Sequence, residues 1–141
     1  MTPINLTVND TPVEVEPGST VLDAAKKAGF TIPTLCHHPE LQPYGSCRLC
    51  LVEVVGARTL MPACTLAAGD KMVVNTNTER IQNARKFVLS MLFSERNHFC
   101  MYCVKTDGDC ELQQAAYDED MNHWPISPKY DPFLVDASHP E

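Results

Sequence analysis

Residues 44–54 read Tyr44-Gly45-Ser46-Cys47-Arg48-Leu49-Cys50-Leu51-Val52-Glu53-Val54. A Gly-Ser step, a Cys-x-x-Cys pair and an apolar, β-branched run follow one another directly in this stretch. Two thiolates on such a tight turn reach either one metal ion or two adjacent ones. The glycine just before them suits a close approach of the backbone. The stretch therefore predicts a ligand turn that leads straight into a strand.

The chain before this stretch predicts a hairpin and a short helix. Residues 3–16 alternate apolar and polar side chains on both sides of an Asn9-Asp10 turn, which is typical of a β-hairpin with one buried face. Thr20 and Asp23 have the spacing of a capping box, and apolar residues follow at helical spacing until Gly29. We therefore expect a short amphipathic helix after the hairpin.

The chain after the stretch predicts further strands. Residues 49–55 are apolar and β-branched, and residues 72–74 follow a Gly-Asp turn with a similar composition. Together with the hairpin and the first helix, these strands indicate a small α+β sheet of the β-grasp type. We place this domain at residues 1–76.

The second half of the chain predicts a small helical module and a tail. Thr76 and Glu79 suggest another capping box, which would start a helix that ends near Arg96. The predicted buried face of this helix consists of Ile81, Ala84, Val88, Met91 and Leu92. A further short helix is expected at 111–117, and prolines keep the end of the chain extended. The expected boundaries are 77–120 for the module and 121–141 for the tail.

The seven cysteines and one histidine fall into two sets of four candidate metal ligands. These sets are Cys36, Cys47, Cys50, Cys64 and then His98, Cys100, Cys103, Cys110. No cysteine is left over. An odd number of cysteines cannot pair completely within one chain, and structural disulfides are rare in a reducing cytosol. Metal ligation is therefore the better interpretation of these residues.

Composition restricts the kind of partner and the location. Lys and Arg number 11 against 18 Asp and Glu, a net charge of −7 that argues against a nucleic-acid surface. The chain starts without a signal-like segment, and no apolar run is long enough to span a bilayer, so we expect a cytoplasmic protein. It also lacks a Gly-rich phosphate loop and a nucleophile elbow, so we expect no enzyme activity of the chain alone.

The spacing within the first ligand set leaves more than one kind of site open. A structural zinc site more often uses two closely spaced ligand pairs, whereas only Cys47 and Cys50 are close here. A thioredoxin-like dithiol is a further alternative, but this pair lies on the way into a strand rather than at the start of a helix. The long loop from Cys36 to Cys47 instead suits wrapping around a metal cluster.

The first ligand set resembles that of a known family. The segments 35–41, 44–54 and 62–64 look like the 2Fe–2S ferredoxin domain at the N-terminus of several redox subunits. These subunits include the complex I 75-kDa subunit, iron-only hydrogenases, and the small diaphorase subunit of NAD-linked hydrogenases and formate dehydrogenases. The resemblance implies that a 2Fe–2S cluster is bound by Cys36, Cys47, Cys50 and Cys64. The adjacent His37 and His38 are interpreted as loop residues near the surface.

The second ligand set resembles the 4Fe–4S site that follows this domain in the same subunits. The segments 95–103 and 108–113 carry the likeness. It implies a 4Fe–4S cluster bound by one histidine and three cysteines, namely His98, Cys100, Cys103 and Cys110. The spacing departs from that of many relatives, with one residue instead of three after the histidine. A zinc ion held by the same four residues is the alternative.

The resemblance also implies a function. Two clusters on one small chain would relay single electrons, because such cofactors carry the redox chemistry themselves. The implied partners are a flavin-bearing NAD(P)H dehydrogenase subunit and a larger redox catalytic subunit, such as a hydrogenase or formate dehydrogenase. A stand-alone soluble ferredoxin and a zinc-stabilised interaction module are the competing hypotheses.

Overall fold

A computed structural model describes residues 2–95, 103, 105 and 110–121. The elements are, in chain order, β1 (Ile4–Val8), β2 (Thr11–Val15), α1 (Val21–Lys27), β3 (Leu51–Val54), β4 (Met61–Pro62), β5 (Val73–Asn75), α2 (Glu79–Glu95) and α3 (Glu111–Asp118). The chain divides into two compact units, Met1–Val88 and Leu89–Glu141. Among the described helices, none has the length and apolar character that crossing a membrane requires. The predicted tail lies outside the described residues from residue 122 onward.

The first unit contains one mixed sheet with the strand order β2-β1-β5-β3-β4. β1 pairs with β2 antiparallel and with β5 parallel, while β3 lies antiparallel to both β5 and β4. The sheet and α1 share one apolar core, whose buried members include Leu6, Val8, Val15, Val21, Ala24, Ala25, Ile32, Val52 and Val74. The predicted α+β class and β-grasp arrangement are confirmed, and β4 adds a two-residue strand to it.

The hairpin of β1 and β2 forms because its turn has the required backbone conformation. Asn9 and Asp10 have φ angles of 45° and 65°, and two consecutive positive values match the right-handed twist of a hairpin. Asn and Asp tolerate this region better than most residues. The resulting register pairs Ile4 with Val15 and Leu6 with Val13, which keeps the apolar residues on one face. The predicted hairpin is confirmed.

The first turn of α1 is closed by the predicted capping box. Thr20 Oγ1 accepts a hydrogen bond from Asp23 N at 3.2 Å, and Thr20 N donates to Asp23 Oδ2 at 2.9 Å. These two bonds satisfy backbone donors that a helix N-terminus would otherwise leave without partners. The helix then buries Val21, Ala24 and Ala25 against the sheet.

The start of α2 differs from the prediction. Thr76 is buried and its side chain is occupied elsewhere: Asn9 Nδ2 donates to Thr76 Oγ1 at 2.6 Å, and Thr76 N donates to Asn9 Oδ1 at 2.8 Å. Thr78 takes the capping role instead, since Ile81 N donates to Thr78 Oγ1 at 3.3 Å. The predicted capping box of Thr76 and Glu79 is therefore wrong, because the threonine hydroxyl is bound by the hairpin turn.

The buried face of α2 differs from the prediction only in part. Ile81 and Val88 are buried as predicted, whereas Met91 is 44% exposed and Arg85 is buried. A charged residue can lie on this face because Arg85 Nη2 donates to the backbone oxygen of Leu51 at 3.0 Å. The sequence pattern considered only apolar residues and therefore did not predict the burial of this arginine.

Polar contacts attach the start of α2 to β3, the strand that follows the Cys-x-x-Cys pair. Glu53 accepts from Thr78 Oγ1 at 3.0 Å and forms an ion pair with Arg80 at 3.1 Å. Arg80 also donates to the backbone oxygen of Arg58 at 2.9 Å. The half-exposed ion pair contributes little by itself. Together with the Arg85 bond, however, these contacts fix β3 against the helix.

We expect Thr20→Ala to lower the free energy of unfolding by about 1 kcal/mol, because it removes the acceptor for a helix N-terminal N–H. Asp23→Asn should also destabilise the protein, and it should change the dependence on pH. Burial raises the pKa of Asp23, but hydrogen bonds from Thr20 and the charges of His37 and Lys26 outweigh it, so this pKa lies below its usual value. The carboxylate therefore stabilises the fold above its unfolded-state pKa, and this stabilisation is lost as pH falls through the lower folded-state pKa.

Urea unfolding between pH 2.5 and 7 measures both effects. Glu16→Gln is the matched control, because Glu16 is an exposed carboxylate just before the same helix. We expect the free energy of unfolding of Asp23→Asn to fall less than that of the wild type between pH 7 and pH 2.5. An equal fall in both proteins would contradict the expectation.

Candidate metal centre

Strand pairing positions two of the four cysteines in the first predicted set. Cys50 directly precedes β3, and Cys64 lies two residues after β4. Ala63 N donates to Cys50 O at 2.9 Å, which extends the β3–β4 pairing up to the cysteines. Both side chains are buried, with 1% of each residue exposed. The sheet thus presents Cys50 and Cys64 side by side.

The other two cysteines meet through the loop that follows α1. Cys47 N donates to Cys36 Sγ at 3.4 Å, and both residues are half-buried. Burial raises the pKa of Cys47, but hydrogen bonds from the backbone of Leu49 and Leu35 and from Cys36 outweigh it, so this pKa lies below that of an ordinary thiol. The loop therefore favours the thiolate form of Cys47, which is the form that binds metal.

The backbone around this pair has the conformation that directs N–H groups at an anion. Gly45 has a φ of 64° and Arg48 a φ of 58°, so both lie in the left-handed region. For Arg48, an exposed non-glycine residue, this conformation is strained, and such strain is concentrated at functional sites. It turns the N–H of Leu49 back toward the Cys47 sulfur. The ligand turn thus supplies both a thiolate and a backbone donor to it.

The Cys50 and Cys64 thiols interact with each other and with the first pair. Burial, a hydrogen bond with Cys50 and the charges of Cys50, Cys36 and Cys47 raise the pKa of Cys64 to about 12. All three other cysteines thus act on Cys64, as expected for four thiols that belong to one site. Four thiolates in one buried place repel each other unless a cation is bound among them, since a bound cation favours the deprotonated form of its ligands.

The arrangement of the first set is therefore two adjacent thiol pairs, Cys36 with Cys47 and Cys50 with Cys64. Within the described part of the chain, no three His, Cys, Asp or Glu side chains surround a single metal-ion position. Each pair can supply two soft ligands, the kind that iron–sulfur clusters and zinc select. The structure brings together all four cysteines that the sequence analysis assigned to this set.

The second predicted set is described only in part. Cys110 is half-buried at the N-terminus of α3, where its backbone oxygen accepts from Gln114 N at 2.9 Å, and Cys103 is exposed. His98 and Cys100 lie outside the described residues. The grouping of these four residues therefore remains a prediction.

Sequence reasoning did not distinguish the two histidines that follow Cys36. His38 is exposed as predicted, and its Nδ1 accepts a hydrogen bond from Glu40 N at 3.3 Å. His37 is half-buried, and its Nδ1 is enclosed without a hydrogen-bond partner among the described residues. Two identical neighbours in a loop carry no sequence signal for this difference, because it depends on which ring faces the interior.

Comparison with known families agrees with this chemistry. Residues 1–79 match the model of the 2Fe-2S iron-sulfur cluster binding domain. Residues 85–124 match the model of the NADH-ubiquinone oxidoreductase-G iron-sulfur binding region, a 4Fe–4S module. The first match includes all four cysteines of the first set, and the second includes all four residues of the second set.

Individual relatives are redox subunits. The chain is 48% identical over 113 residues to an NADH-quinone oxidoreductase subunit of Rhizobium meliloti (strain 1021), covering 80% of this chain and 13% of that protein. It is 43% identical over 122 residues to the NADP-reducing hydrogenase subunit HndD of Solidesulfovibrio fructosivorans, covering 82% of this chain and 20% of that protein. The chain thus spans a fifth or less of the length of these two relatives.

A solved structure shows the same fold. One chain of an NAD+-reducing [NiFe]-hydrogenase, determined in the H2-reduced state, superposes with a TM-score of 0.79 and 42% sequence identity. The match covers 97% of the present chain and 57% of the hydrogenase chain. Since the 2Fe–2S model covers more than half of the sequence, the chain belongs to the family of 2Fe–2S iron–sulfur cluster binding domains, with a 4Fe–4S binding region after it.

Proposed function

We propose that this chain relays single electrons within a larger NAD(P)H-linked oxidoreductase and has no enzyme activity by itself. A 2Fe–2S cluster and a 4Fe–4S cluster would supply the chemistry, since each can accept and release one electron. The proposed ligands are Cys36, Cys47, Cys50 and Cys64 for the first, and His98, Cys100, Cys103 and Cys110 for the second. The first set carries the proposal, because it is described completely.

The arrangement of thiols in two pairs is the observation that most favours a two-iron centre. A 2Fe–2S cluster needs two protein ligands on each iron, and the hydrogen-bonded pairs Cys36–Cys47 and Cys50–Cys64 provide two and two. The pairs influence each other electrostatically, as expected for ligands of one cluster. The backbone donor at Leu49 adds the kind of hydrogen bond that stabilises a cluster thiolate.

A close approach of two backbone segments supports the same site. Gly45 is buried beside Thr65, the residue after Cys64, and a Cβ atom at Gly45 would lie 3.0 Å from Thr65 Cγ2. A side chain at this position would force apart the segments that carry Cys47 and Cys64. Glycine at position 45 therefore keeps the ligand turn close to the end of the sheet.

The names of the relatives support the proposed partners. They describe an NADH-quinone oxidoreductase subunit, an NADP-reducing hydrogenase subunit and an NAD+-reducing hydrogenase. We therefore propose that electrons pass between a flavin-bearing NAD(P)H dehydrogenase subunit and a larger catalytic subunit related to hydrogenases or formate dehydrogenases. The cytoplasmic location and the domain boundaries at residues 1–76, 77–120 and 121–141 remain part of this proposal.

Metal analysis after anaerobic purification tests the cofactors. We expect about six irons and about six inorganic sulfides per chain, from one two-iron and one four-iron cluster. A chain that contains zinc and little iron would contradict the proposal and support the zinc-stabilised interaction module. A content of about two irons would support only the 2Fe–2S site. Co-purification with a flavoprotein then distinguishes a fixed subunit from a stand-alone ferredoxin.

Gly45→Ala should destabilise the 2Fe–2S site by about 1–3 kcal/mol, because the new methyl group overlaps Thr65. Gly18→Ala is the control: its φ of 92° is also positive and no less unfavourable for alanine than that of Gly45, but no atom lies within 4 Å of the new Cβ. The midpoint of thermal bleaching of the cluster should fall further for Gly45→Ala than for Gly18→Ala. Adding Thr65→Ser removes the overlapping Cγ2 atom and should restore part of the loss; equal midpoints for both glycine variants would refute the close-approach argument.

His98→Cys tests the least regular ligand. A thiolate in place of a neutral imidazole makes the four-iron centre one unit more negative, which disfavours the reduced state. We expect the variant to retain about six irons and to show a lower potential for the 4Fe–4S centre in a redox titration followed by electron paramagnetic resonance. His123→Cys serves as a control outside both ligand sets. An unchanged potential in His98→Cys would remove His98 from the ligand set.

A further inference from the structure

His37 occupies a position that the electron relay does not by itself explain. Its side chain contributes to the lining of a groove of about 500 Å³ beside α1, together with Asp23 and Lys26. The ring also acts electrostatically on Asp23, so it lies near that carboxylate. It nevertheless follows Cys36 directly in the chain. His37 therefore belongs both to the groove and to the ligand loop.

The Nδ1 atom of His37 is the feature that calls for a partner. It is enclosed by protein and has no hydrogen-bond partner among the described residues. A buried polar nitrogen without a partner is costly, and such atoms in native proteins are normally matched by another group, an ordered water or a bound ligand. The proposed cluster, whose first ligand Cys36 is the preceding residue, is one group that the described atoms do not include.

The chemistry of the site fixes which kind of bond Nδ1 can form. The sulfur atoms of a thiolate-bound iron–sulfur cluster are hydrogen-bond acceptors, and an imidazole ring can carry a proton on Nδ1. Consecutive Cα atoms lie about 3.8 Å apart, so the ring of His37 starts one residue from a ligand. The backbone N–H of Cys47 already makes a bond of this kind to Cys36 Sγ. A second donor, from the residue next to Cys36, is therefore chemically consistent.

The neighbouring histidine does not share these properties. His38 is exposed, and its Nδ1 already accepts from Glu40 N at 3.3 Å. Since that nitrogen acts as an acceptor within the loop, it is not available to donate to sulfur. The two adjacent histidines thus differ in burial and in the hydrogen bonding of the same ring atom, which makes His38 a natural internal control.

We propose that His37 Nδ1–H donates a hydrogen bond to a sulfur atom of the 2Fe–2S centre and thereby raises its reduction potential. The proposal rests on the function proposed above, namely a cluster held by Cys36 and its three partner cysteines. Hydrogen bonds to cluster sulfurs stabilise the more negative, reduced state. His37 is therefore a positioning and tuning residue for electron transfer rather than a ligand.

Redox titration of the full chain, followed by the resonance signal of the reduced 2Fe–2S centre, tests this role. His37→Leu removes the donor, and His37→Asn retains an amide N–H near the position of Nδ1. His38→Leu makes the same apolar change one residue further along. We expect a lower potential for His37→Leu, a value close to wild type for His37→Asn, and no change for His38→Leu.

A second measurement uses protein labelled with ¹⁵N at histidine. Pulsed resonance should detect a weak ¹⁵N coupling to the 2Fe–2S signal in the wild type and in His38→Leu, and no such coupling in His37→Asn. An iron-loaded His37→Leu with the wild-type potential, or the absence of this coupling from the wild type, overturns the proposal. If His37→Leu does not retain iron, the labelled proteins decide the question.

Iron and sulfide analysis of every sample separates this inference from the proposed function. A wild-type chain without a 2Fe–2S signal would contradict the function and the tuning role together. A wild-type chain with the expected iron but no coupling from His37 would contradict the tuning role alone.

Discussion

Mutual repulsion among four cysteine thiolates is the constraint on which the first unit depends. Burial and the other three cysteines raise the pKa of Cys64 to about 12, so the charged form of this thiol is disfavoured in the fold unless a cation is bound beside it. Other features of the unit oppose this repulsion. The pairing of β3 with β4 fixes one pair, and the left-handed backbone at Arg48 directs an N–H at the other.

Charge is distributed unevenly along the chain, and the distribution suits a first unit that contains four neighbouring cysteines. Lys and Arg balance Asp and Glu up to residue 88, with eight of each, so the net charge of −7 falls entirely on residues 89–141. The first unit thus adds no net negative charge around a group of thiolates. Association through the acidic second half should be more sensitive to salt than association through the first.

Local patterns predicted the elements that depend on local chemistry. The Asn9-Asp10 turn and the Thr20–Asp23 capping box follow from backbone preferences of neighbouring residues, and both formed as expected. The start of α2 was predicted wrongly because Asn9 binds Thr76 from 67 positions away in the sequence. Contacts at that distance leave no mark on a local pattern.

The candidate site shows the same division between what local patterns predict and what they do not. Spacing and resemblance identified the four cysteines of the first set, which the structure brings together. They could do so because the spacing of ligands is a local property of the sequence. Their pairing into two sets of two depends on the β3–β4 register and was not predicted. The burial of Arg85 and of the His37 Nδ1 atom was also missed, because each depends on which neighbours the fold supplies.

The two thiol pairs differ in what holds them, and this difference has a consequence for how the site opens. Cys50 and Cys64 are joined through strand hydrogen bonds, so separating them requires breaking part of the sheet. Cys36 and Cys47 lie on a loop with an exposed segment at residues 38–44 between them. Local unfolding of a loop costs less free energy than opening a sheet. Amide hydrogen exchange should therefore be faster on the Cys36 side, and oxidative loss of iron should begin there.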